Sequence, residues 1–170
     1  MLLGDTSKIA VLYDVVEEWS DETWKNGLFN IIISDEYVMN EVLVSTINSE
    51  LLFLSRKLEK IKKDTFIFSL NKEEAFEKIY LKVYPNDINK DNDYSYCLTP
   101  NEFKDYEIFA VTDGNKIRIL YGQVTFDGLD FNYSNAKGVI IKEIFIENDD
   151  IEVLRNKICK SLDIINGRNV

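Results

Sequence analysis

At 170 residues the chain has the length of one ordinary domain, enough to bury about 70% of the surface its unfolded form exposes without a disulfide or metal staple. Apolar residues make up 45% and charged residues 29%, which excludes the low-hydrophobicity composition of a disordered chain. A net charge of −10, from 20 basic and 30 acidic residues, disfavours nucleic acid, whose phosphates are neutralised by Lys and Arg, and suits a basic protein surface.

The first elements are β. Ile9 to Val16 is an apolar, β-branched run closed by Glu17-Glu18, and Leu28 to Ile33 is another, so the two predict an antiparallel hairpin. Its polar loop, Trp19 to Gly27, carries both tryptophans of the chain. Ser34-Asp35-Glu36 reads as a tight turn into a short strand around Tyr37 to Met39. Leu43, Ile47, Leu51, Leu54, Leu58 and Ile61 then recur at helical spacing, and the basic residues Arg56, Lys57, Lys60, Lys62 and Lys63 gather at the negative end of that helix.

A second helix is predicted with Asn71 as N-cap and Glu74 three residues on, and Pro85 stops it. Residues 84–102 form a polar loop of Asn, Asp and Tyr. Strands and turns then alternate: Tyr106 to Val111, Asp113-Gly114, Lys116 to Phe126, Asp127-Gly128, Leu129 to Ser134, and Val139 to Ile146. These predict a four-strand meander. Asp149 with Glu152, the stripe Ile151, Leu154, Ile158, Leu162 and Ile165, and Gly167 past its end predict a third helix. The expected fold is α+β: an antiparallel sheet, from the N-terminal hairpin and the meander, packed with three helices in a single domain over residues 1–170.

The start, Met1-Leu2-Leu3-Gly4-Asp5, lacks the basic and apolar regions of a signal peptide, and no window approaches 18 uninterrupted apolar residues. With two cysteines, Cys97 and Cys159, in no pairing pattern and expected to be buried and inert, this predicts a cytoplasmic protein without a membrane partner. The absence of histidine removes Ser-His-Asp and Cys-His nucleophiles and imidazole zinc sites. Seven glycines form no phosphate-cradling or dinucleotide motif. No catalytic residue, metal ligand or cofactor is therefore assigned, and the chain is not expected to be an enzyme.

Two places invite a function. Asp91, Asp93, Ser95, Thr99 and Glu102 fall at ligand positions of a calcium-loop template, although Tyr96 stands where the sharp turn needs Gly. The other place is the N-terminal region: residues 1 to 50 hold ten acids against Lys8 and Lys25, a net of −8. Tryptophan anchors amid charge are typical of interface hot spots, and acids steer a basic partner during encounter. The competing reading makes Trp19 and Trp24 lids over the end of the sheet. The partner-binding candidates are Glu17, Glu18, Trp19, Asp21, Glu22, Trp24, Asp35 and Glu36.

The opening Leu2-Leu3-Gly4-Asp5, followed after three residues by Ile9-Ala10-Val11, the acidic loop returning through Gly27-Leu28-Phe29, and the long helix beyond resemble the immunity protein 42 family of bacterial polymorphic toxin systems. The resemblance covers about the first 60 residues. It implies a cytoplasmic protein that binds and neutralises a cognate toxin domain, and it assigns no individual residue. The alternatives are a carboxylate-dependent hydrolase or calcium-binding module using the 84–102 loop, and an intracellular adaptor without enzymatic activity. A large secreted protein with a variable C-terminal domain, encoded by the neighbouring gene, would favour the immunity reading.

Overall fold

Apolar runs rich in β-branched residues make the two central strands of the first sheet. The computed structural model describes residues 1–39, 43–87, 89–100, 106–124 and 140–167. Two compact units emerge: one from Met1–Glu59, Pro100–Glu102 and Asn148–Val170, the other from Lys60–Thr99 and Phe103–Glu147.

In the first unit, β1 (Leu2–Asp5), β2 (Ile9–Val15) and β3 (Asn26–Ile33) pair antiparallel in that order. The edge of β3 is shared by β4 (Glu36–Tyr37) and β5 (Leu43–Thr46). The expected hairpin is present, with Ile9 opposite Ile33 and Val15 opposite Gly27. Only glycine fits at 27, because a Cβ there would lie 1.8 Å from the Asp14 carbonyl oxygen. Ser34 and Asp35 both take positive φ in the tight turn that follows.

One sheet face carries Val11 and Tyr13 opposite Ile31 and Phe29, all buried. α1 (Ile47–Glu59) and α4 (Asn148–Ile165) pack on each other and on this sheet, burying Leu51 and Leu54 of one and Leu154 and Ile158 of the other. Arg155 to Glu59 at 3.0 Å and Lys8 to Asp150 at 2.7 Å add ion pairs. Leu43 belongs to β5 rather than to the helix its spacing suggested. Its neighbours Val44 and Thr46 are β-branched, and the open edge of β3 offers a ladder that a longer helix would forgo.

The second unit contains α2 (Thr65–Ser69), α3 (Lys72–Val83) and a sheet of β6 (Tyr106–Thr112), β7 (Lys116–Gln123) and β8 (Lys142–Glu147). Asn71 caps α3 as expected, its side chain accepting from the Glu74 amide at 2.9 Å. Ile67, Phe76, Ile79, Tyr80, Phe109, Val111 and Leu120 share its core. The short helix α2, absent from the sequence reading, is held at both ends. Asp64 accepts from the Ile67 amide, and the buried Arg118 donates to the carbonyls of Phe68 at 2.9 Å and Leu70 at 2.7 Å. Arg118 also pairs with Glu143 at 2.6 Å.

The described helices thus number four rather than three, and the described strands form two sheets rather than one. The strand expected at Leu129 to Ser134 lies outside the described residues. β8 pairs with β7 itself, Ile117 opposite Ile146, so the last strand does not sit where a simple four-strand meander would put it.

Glu107 on β6 is buried and accepts from the Tyr84 hydroxyl at 2.7 Å and the Thr99 hydroxyl at 2.8 Å. Burial raises its pKa above the ordinary value, and the two hydroxyls offset this only in part. Folding therefore favours the protonated acid. The associated stability is complete below the ordinary glutamate range and is lost as the pH rises through the raised value. Glu107→Gln should flatten the fall in melting temperature with rising pH that begins above the ordinary glutamate range, as followed by circular dichroism.

Candidate functional site

All eight candidate residues are exposed and belong to the first unit. They fall into two groups. Glu17, Glu18, Trp19, Asp21, Glu22 and Trp24 sit on the loop joining β2 to β3, whereas Asp35 and Glu36 lie at the other end of that strand pair. At about 3.3 Å per residue, the six steps from Gly27 to Ile33 separate the groups by about 20 Å.

Hydrogen bonds organise the loop. Glu17–Trp19 forms one 3₁₀ turn. The Asp21 carboxylate accepts from the amides of Thr23 at 2.7 Å and Trp24 at 2.6 Å, and the Asp21 amide donates to the Trp24 carbonyl at 2.9 Å. Lys25 donates to the Asp21 carbonyl at 2.7 Å, Asn26 donates to the Trp19 carbonyl at 2.6 Å, and Asn48 of α1 donates to the Thr23 carbonyl at 2.9 Å. The Ser20 hydroxyl donates to the Val16 carbonyl at 2.8 Å.

The backbone is thus committed while the large side chains are not. Trp19 and Trp24 are 49% and 52% exposed, unlike lids over a core. The bonds from the Trp24 and Thr23 amides hold the Asp21 carboxyl below the ordinary carboxylate range. Asp21 is therefore a scaffold of the loop. Among the described residues no Lys or Arg forms an ion pair with Asp14, Glu17, Glu18 or Glu22.

At the far end, Asp35 is tied to the β1–β2 turn. Its carboxylate accepts from the Thr6 hydroxyl at 2.6 Å, and its amide donates to the Thr6 carbonyl at 2.7 Å. The roles of Thr6, Asn26 and Asn48 had no signal in the sequence, because each acts across strands or elements. The Asp21-Glu22-Thr23 order does carry one: Asp two residues before an amide it can bond is a common local turn.

The 84–102 loop offers its calcium template poor ligands. Asp93 accepts from the amide and hydroxyl of Ser95 and pairs with Lys62 at 3.7 Å. The Thr99 hydroxyl donates to Glu107, Tyr96 is buried, and Glu102 lies outside the described residues. Among the described residues no group of three or more His, Cys, Asp or Glu is placed to hold a metal ion. Cys97 is buried as expected, whereas Cys159 is only half-buried, and neither forms a disulfide. No described helix is long and apolar enough to cross a membrane.

The described residues thus combine an α+β fold with an exposed, hydrogen-bonded loop of acids and tryptophans in the first unit. The family model described as immunity protein 42 matches residues 1–161, and the chain belongs to that family. Among solved structures it is similar to the crystal structure of CdiI from Burkholderia dolosa AUO158, with a TM-score of 0.72 and 20% identity over 94% of this chain and 99% of that one. That likeness is one of fold. No curated protein matches the chain.

Since Asp21 acts within the loop, Asp21→Ala should speed hydrogen exchange at the Thr23 and Trp24 amides by about tenfold and leave β2 and β3 amides unchanged. In the unsubstituted protein the same two amides should lose protection as the pH falls through the lowered pKa of Asp21, because its contribution is present above that value and lost below it.

Proposed function

We propose that this chain is a cytoplasmic immunity protein without catalytic activity, which neutralises a cognate toxin domain by binding it through the acidic, aromatic end of its first unit. Membership of the immunity protein 42 family supports the class of function. The observation that supports the surface is the pair of half-exposed tryptophans on a hydrogen-bonded loop, beside carboxylates that no described cation neutralises. Aromatic side chains on a preorganised backbone lose little entropy on binding, and unneutralised carboxylates accelerate encounter with a basic surface.

Within this reading the residues divide by role. Trp19 and Trp24 are the anchors, Glu17, Glu18 and Glu22 steer, and Asp21 keeps the loop in shape. Asp35 and Glu36, about 20 Å away, form a second contact reached only by a partner lying along the hairpin.

Reversing Glu17, Glu18 and Glu22 together to Lys, with Asp21 kept, should lower the association rate for the cognate toxin domain by about 10- to 100-fold at low salt. The melting temperature should be unchanged, and the salt dependence of association should flatten. Surface plasmon resonance at two ionic strengths measures this. An unaltered association rate would remove the steering role from these three residues.

A further inference from the structure

The β3 register places an apolar strip beside the loop that no single segment of sequence displays. Residues directly opposite in antiparallel strands share a face. Asp14 lies opposite Leu28, and Leu28 opposite Val44, so these side chains form one row across three strands. Leu2 opposite Leu12 makes a second row on the same face, which ends at the buried Asn30; this residue lies opposite Leu12, and its side chain donates to the Met39 carbonyl. This is the face away from Tyr13, whose hydroxyl meets the Met1 sulfur, itself next to Ser161 of α4.

Leu12 and Leu28 are half-buried, Leu2 and Asp14 are exposed, and Val44 is 62% exposed. The strip continues into the loop. Asn26 and Thr46, one pair further on, bond to each other on this face at 2.9 Å, and the Asn26 amide group also holds the Trp19 carbonyl. Trp19 therefore begins where the apolar rows end.

We propose that the toxin-binding surface is this sheet face together with the loop: Leu2, Leu12, Leu28 and Val44 form its apolar floor, Trp19 closes one end, and Asp14, Glu17 and Glu18 supply the charge. The inference rests on the immunity reading and specifies its site. The occupant it fits is a protein domain presenting apolar side chains ringed by Lys and Arg. Charge argues for that chemistry, since Asp14, Glu17 and Glu18 have no cation partner among the described residues, and a second copy of this acidic chain would bring carboxylate to carboxylate. The hairpin loop is then the rim of a larger patch, with charge around an apolar floor.

The test uses the full chain and the purified cognate toxin domain, with affinity read by calorimetry. Val44→Glu should weaken binding by about 30-fold or more, and Asp14→Lys by about tenfold, with melting temperatures unchanged. Val153→Glu, on an equally exposed valine of α4, should leave affinity within about twofold. Wild-type affinity in both Val44→Glu and Asp14→Lys, in a chain that still neutralises the toxin, would overturn the sheet face while leaving the immunity function standing. Failure of the unsubstituted chain to bind or neutralise would overturn the function itself.

Discussion

The pairing of β2 with β3 is the constraint on which the rest of the first unit depends. Its register puts Val11 and Tyr13 against Ile31 and Phe29 on one face, and a slip of one residue would turn both sets outward. Glycine at 27 lets the strands approach where a methyl group would strike the Asp14 carbonyl. The same contact fixes the start of β3, so Asn26 reaches Trp19 and Thr46. Core packing and the presentation of the loop are two consequences of one register.

Electrostatics is arranged differently in the two units. In the second, the buried Arg118 is enclosed by Glu143 and the carbonyl end of α2, Asp64 accepts from the Tyr96 hydroxyl at 2.8 Å, and Lys82 reaches Asp64 at 3.8 Å. In the first, the carboxylates of Asp14, Glu17, Glu18 and Glu22 are left facing solvent on a backbone held by amide and hydroxyl bonds. Concentrated unpaired charge costs some folding stability through self-repulsion and gives a long-range attraction to basic partners.

The elements with strong periodicity were legible in the sequence: β2 and β3 from their β-branched runs, α3 from its Asn71 cap, and α4 from its stripe. β1 was not, because Leu2-Leu3-Gly4-Asp5 has too few residues to show alternation and becomes a strand only by pairing with Leu12 to Ile9. β5 was hidden inside a helical spacing, and α2 has five residues of mostly aromatic and β-branched character whose helix depends on Asp64 and Arg118. At the candidate site, composition located the acids and tryptophans. Their exposure, the internal role of Asp21 and the row Asp14–Leu28–Val44 required cross-strand geometry.

The most direct test is hydrogen–deuterium exchange of the full chain with and without the proposed cognate toxin domain. Protection on binding should concentrate in residues 2–5, 12–30, 34–36 and 43–46, with the second unit unchanged. Protection confined to β6, β7 or the 84–99 segment would contradict the assignment of the acidic, aromatic end of the first unit as the surface that meets the toxin.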